Sequence, residues 1–143
     1  MSAGVVSIRD YATTRGAEAE APRAWPVESQ LQRTPFGATV VMFVHPDCPC
    51  TRASKAELAK IQASAPPTTK FIVTPVVAEA TRFGAKTSGD VVVYDVAGQL
   101  QFHGGITATR GHVGPSRGHD LVDDLIHGRV TGSFTAPVFG CAL

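Results

Sequence analysis

No stretch of this sequence approaches the roughly 18 consecutive apolar residues that a membrane-crossing helix needs. Met1 to Asp10 lacks the basic-then-apolar pattern of a signal peptide. The chain as it stands is therefore expected in the cytoplasm, or in the periplasm if an export or anchor segment has been removed. Charge of one sign is also lacking, since 13 Lys and Arg stand against 12 Asp and Glu. With no Lys/Arg cluster and no interleaved aromatics, nucleic acid is not an expected partner. Cysteine is scarce, and three is an odd number that makes no disulfide framework. A redox or metal role explains the three thiols more economically. None of these shortages extends to core material, because 143 residues that are 43% hydrophobic suffice for one domain without staples.

Two of the cysteines lie in His45-Pro46-Asp47-Cys48-Pro49-Cys50-Thr51-Arg52-Ala53-Ser54. Ahead of that run, Ala38 to Val44 is continuous, apolar and mostly β-branched, the pattern of a strand buried on both faces. Behind it, Thr51 to Ser64 contains good helix formers, with Ala53, Ala56, Leu58, Ala59 and Ile61 forming an inward stripe and Pro66-Pro67 as the stop. Cys48 and Cys50 are thereby placed at a helix N-terminal turn. Unpaired N–H groups and the positive end of the helix dipole favour a thiolate there, lowering a thiol pKa from about 8.5 into the range of roughly 3.5 to 7.5. Arg52 and Lys55 act in the same direction.

The remainder reads as an alternation of strands and helices. Residues 1–35 form an irregular segment expected to pack on the domain of residues 36–143, anchored by Trp25-Pro26-Val27. Lys70 to Ala78 is a second strand, with Pro75 placing its far end at an edge or outside the ladder. Ala78 to Gly84 suits a short helix. Asp90 to Val96 and Gln99 to His103 form a hairpin about Ala97-Gly98. A Gly- and His-rich loop from Gly104 to Gly118 leads to a last helix, His119 to His127, with Leu121, Val122, Leu125 and Ile126 inward and Gly128 at its end. The expected fold is α/β, a central mixed sheet flanked by helices.

The third thiol, Cys141, lies in Pro137-Val138-Phe139-Gly140-Cys141. A tail can return it to Cys48 or Cys50 as a resolving thiol or third ligand; the plain alternative is an idle thiol. Two thiolates with one or two imidazoles suit copper or zinc, with His45, His103 and His112 as candidates beside Cys48 and Cys50. His112 has the best claim, because the turn Arg110-Gly111-His112 follows the hairpin and can fold over the helix start. Arg110 is suited to hold a thiolate or a peroxide oxygen by a charge-assisted hydrogen bond. The plain alternative for both is a solvated surface loop.

The order of elements, with cysteines directly after the first core strand, resembles the thioredoxin fold. The segments HPDCPCTRAS, VVVYDVAGQLQFHGGIT, RGHVG and PVFGC are similar to a bacterial group of thioredoxin-like proteins called RedB-like, over roughly Trp25 to the end. The resemblance implies that Cys48 is the attacking cysteine, and Thr51 stands where thioredoxins carry the resolving one. Cys48-Pro49-Cys50 is shorter than the usual Cys-x-x-Cys, and a disulfide within so small a ring would be strained. Where thioredoxins place a cis-proline that binds extended substrate backbone, this chain has Ser88-Gly89-Asp90, and Gly89 permits close approach of another chain or ligand.

The leading expectation is thus a thiol-disulfide oxidoreductase without a cofactor, acting on protein or small-molecule disulfides and thiols. Cys48 attacks, Cys50 or Cys141 resolves, and His45, Thr51, Arg52, Gly89 and Arg110 support the thiolate or bind substrate. A copper- or zinc-binding protein using Cys48, Cys50 and His112 is the second reading, by analogy with Sco-type proteins. A peroxidase is the third, since Pro46, Cys50-Thr51 and Arg110 resemble part of the peroxiredoxin motif, without its threonine before the cysteine.

Overall fold

A computed structural model describes residues 20–46, 48–49, 51–108 and 114–143. The apolar run after Ala38 forms strand β1 (Thr39–Phe43), every residue of which is buried. It can be so because β1 lies inside a sheet, parallel to β2 (Lys70–Thr74) on one side and antiparallel to β3 (Asp90–Tyr94) on the other. β3 pairs with β4 (Leu100–Gly104) as the expected hairpin. β4 is followed by helix α3 (Arg117–Ile126) and then by β5 (Phe134–Ala136), which lies parallel to β4. With α1 (Thr51–Ala63) and α2 (Val77–Arg82), the result is a five-stranded mixed sheet in the order β2-β1-β3-β4-β5, flanked by helices. This architecture is compatible with a thioredoxin-like fold. No helix among the described residues is long and apolar enough to cross a membrane.

The alternation along each strand divides the core into two faces. Val40, Met42, Val91, Val93 and Phe102 meet Leu58 and Ile61 of α1 and Val122, Leu125 and Ile126 of α3. On the other face Val41, Phe43, Val92 and Tyr94 meet Ala80 and Phe83, with Trp25 and Leu31 from the N-terminal segment and Leu143 from the opposite end. Trp25 sits edge-on to Phe83 at 4.9 Å and to Tyr94 at 5.2 Å, a geometry favoured by the ring quadrupoles.

Several expectations are corrected. β2 stops at Thr74 instead of reaching Ala78, because Pro75 has no N–H to continue the ladder. Val27 is 93% exposed, so the anchor of the N-terminal segment is Trp25, and Val27 takes no part in it. The buried stripe of α1 is Thr51, Ala53, Ser54, Glu57, Leu58 and Ile61, while Ala56 and Ala59 face outward. That stripe carries polar residues with partners across the interface, and a purely apolar phasing misses it. β5 was not expected at all. It is three residues long and only partly buried, so it presents no apolar run.

Candidate functional site

Helix α1 starts three residues after Cys48, whose carbonyl accepts from the Thr51 N–H at 3.1 Å; the Cys48 N–H donates to the His45 carbonyl at 3.1 Å. These tight turns fold the chain sharply between β1 and α1. Cys48 is left with 7% of its surface exposed. Its Sγ is 2.9 Å from Sγ of Cys141, so two thiols 93 residues apart in sequence are in direct contact. A disulfide bond is about 2.05 Å long, so covalent closure asks for a displacement of less than about 1 Å.

Cys141 reaches this position through the register of β5. Beside Gly104 and Ala136 the sheet ends, and the Gly105 N–H donates to the Pro137 carbonyl at 3.2 Å. The chain then crosses toward residues 86–88 with Val138, Phe139 and Gly140 buried. A Cβ on Gly140 would lie 2.2 Å from the Ser88 carbonyl oxygen, so only glycine lets the two backbones approach this closely. The Ser88 N–H donates to the Cys141 carbonyl at 2.7 Å, the Leu143 N–H donates to the Lys86 carbonyl at 3.0 Å, and Thr87 and Ala142 form an antiparallel bridge between them.

Ser88 is the hub of the site. Its hydroxyl accepts from the His45 N–H at 2.8 Å and shares a hydrogen bond with the Thr51 hydroxyl at 3.0 Å. One buried residue therefore fixes the end of β1, the start of α1 and the tail that bears Cys141. Thr51 is buried and serves this network. Gly89 has φ +95°, and a Cβ there would lie 2.8 Å from Ser54 Oγ of α1. The close approach that Gly89 permits is made here by the protein's own helix. Among the described residues no peptide bond is cis.

Of the other expected residues, His45 and Arg52 are exposed beside Cys48 on the turn and the first turn of α1. Cys50, Arg110 and His112 lie outside the described residues. His103 is on β4 in register with Val92 and Thr135, and lines a cleft with Arg23, Gln99 and Ser133. Among the described residues no three His, Cys, Asp or Glu side chains come together as a metal site.

Three buried carboxylates were not anticipated. Burial raises the Glu57 pKa, but hydrogen bonds and charge from Lys60 and His119 outweigh it and hold the carboxyl below its ordinary value. His119 Nδ1 is 2.8 Å from Glu57, joining α3 to α1. Glu79 is likewise held down against its burial, by Ser29, the Gln30 N–H and Arg82. Asp90 differs from both. It is fully buried at the head of β3, no well-formed hydrogen bond reaches its carboxyl oxygens from the described residues, and burial pushes its pKa up to about 8 against only a weaker pull from the nearby Val91 and Gly104 N–H groups. The sequence signal for Ser88 and Asp90 was slight: a Ser-Gly-Asp turn before an apolar strand.

No protein-family model matches the chain, and no curated protein matches it. Among solved structures, it is similar to a hypothetical protein from Sinorhizobium meliloti, with 20% identity, a TM-score of 0.55, and 90% of this chain and 93% of that chain covered. It is also similar to an uncharacterized conserved protein from Geobacillus kaustophilus, with 16% identity, a TM-score of 0.51, and 91% of each chain covered. Both likenesses concern the fold.

Proposed function

We propose that the protein is a thioredoxin-like thiol-disulfide oxidoreductase in which Cys48 is the attacking thiol and Cys141 the resolving one. The contact between their Sγ atoms at 2.9 Å carries this reading. Deprotonated Cys48 attacks one sulfur of a partner disulfide, which joins that sulfur to Cys48 and releases the other as a thiolate. Deprotonated Cys141 then attacks Cys48 Sγ, forming the Cys48–Cys141 disulfide and releasing the second partner thiolate. The partner gains two electrons and the cysteine pair loses them; protons given up by the attacking thiols pass through solvent to the released thiolates. Run backward, the same steps oxidise a partner dithiol. Thr51, Ser88 and the His45 backbone hold the attacking turn and the tail in this arrangement.

The test is reduction of insulin or exchange with glutathione disulfide, comparing the protein with its Cys48→Ser variant. Loss of activity to the uncatalysed rate is expected. Unchanged activity removes Cys48 from the chemistry.

A further inference from the structure

Two segments pair in turn with the outer edge of β4 and leave a gap between them. Ala24 forms an antiparallel bridge with Gln99, and the Leu100 N–H donates to the Arg23 carbonyl at 2.8 Å. β5 joins only at Phe134, beside Phe102. A cleft of about 310 Å³ opens there, lined by Ala21, Arg23, Gln99, Leu100, His103 and Ser133. That volume is at the lower end of the roughly 300 to 1,000 Å³ usual for small-molecule sites. The walls are fixed before any ligand arrives, the N-terminal side by its backbone bonds and the packing of Trp25, the other by the register of β5 on β4.

The lining carries charge of one sign. Arg23 is a permanent cation, and no acidic residue lines the cleft among the described residues. Arg33, Arg82, Arg117 and Arg129 each bond a carbonyl or a carboxylate. The side chains of Arg23, Gln99 and Ser133, by contrast, make no hydrogen bond or ion pair among the described residues. Half-buried Ala21 and Leu100 supply an apolar wall. We infer that this cleft is a binding site for a small organic anion, an oxyanion group carried on a compact apolar body. Arg23 pairs with the oxygens, Gln99 and Ser133 donate to them with His103 alongside, and the body lies against Ala21 and Leu100. Carboxylate and phosphate both match the planar fork of an arginine. None of these residues takes part in the Cys48–Cys141 contact or in the Ser88 network, so the cleft is a second site, separate from the thiols.

The experiment titrates the full chain, labelled with nitrogen-15, with three probes: phenylacetate, phenyl phosphate and the neutral phenylacetamide. Saturable amide shifts are expected at Arg23, Leu100, His103 and Ser133 for at least one anion, and whichever anion binds more tightly tells a carboxylate site from a phosphate site. Phenylacetamide should bind about tenfold more weakly or worse, the scale of one charge-assisted hydrogen bond. Arg23→Ala should lose a similar factor for the anion and leave the rest of the spectrum in place, because only the Arg23 backbone bonds to β4. Arg33→Ala, which removes an exposed cation elsewhere, should leave the affinity unchanged. Cys48→Ser should bind the probes as the natural protein does, so the result stands or falls apart from thiol exchange. The site is overturned if neither anion gives saturable shifts at the cleft in the millimolar range, if phenylacetamide binds as well as the anions, or if Arg23→Ala binds as before.

Discussion

The two ends of the described chain cross the same face of the sheet and are held in opposite ways. On the N-terminal side, Trp25 is wedged edge-on between Phe83 and Tyr94, the Tyr94 hydroxyl donates to the Pro22 carbonyl at 2.6 Å, and Glu79 receives Ser29 and the Gln30 N–H. Backbone bonds join Trp25 to Gly98 and Leu100 to Arg23. The C-terminal tail is held at residues 86–88 by two backbone hydrogen bonds, the fit of Gly140 and a sulfur contact. Buried aromatic area and a buried carboxylate make a fixed strap. Two backbone bonds at a short edge make a lighter strap.

The largest effect expected concerns Asp90, next to the edge that the tail covers. Its folded pKa is raised to about 8 from an ordinary 3.8. Between those values the folded state keeps a proton that the unfolded chain has lost, so stability is full below about pH 4 and falls as pH rises toward 8. Asp90→Asn cannot ionise and should flatten that slope, with a gain on the order of a few kcal/mol at pH 8 relative to pH 5. Denaturant midpoints at the two pH values measure it. An unaltered slope would mean that Asp90 is not buried as an acid.

Next comes the fixed strap. Trp25→Ala should cost about 3 kcal/mol in unfolding free energy, by removing a large aromatic contact and leaving a cavity against Phe83 and Tyr94. The smallest effect is expected at the lighter strap, where Cys141→Ser should change stability by less than about 1 kcal/mol. The same substitution should make a mixed disulfide on Cys48 accumulate, seen as an added partner mass. A Cys141→Ser cost as large as that of Trp25→Ala would erase the contrast between the straps.

Much of this fold was legible because its central elements have one-sided or fully buried patterns. β1 and β3 are continuous apolar runs, and α3 repeats its apolar residues at helical spacing up to Gly128. The phase of α1 was not legible, because Thr51 and Glu57 turn inward to partners that only tertiary structure supplies, Ser88 for one and His119 for the other, and Ser54 turns inward where Gly89 leaves room for it. The cysteine turn was readable from its strand-to-helix setting. Choosing Cys141 as the partner of Cys48 required knowing where the tail runs, and that depends on β5, a strand too short and too exposed to announce itself. Ser88 escaped for a related reason. Its hydroxyl acts on His45 and Thr51, some 40 residues away, and no local pattern marks such a bond.

The most direct measurement is disulfide mapping of the intact protein after mild oxidation, with remaining thiols alkylated before proteolysis. A cross-linked peptide pair joining Cys48 to Cys141, with Cys50 alkylated, is the predicted result. A Cys48–Cys50 disulfide with Cys141 alkylated would contradict the pairing on which the proposed function rests.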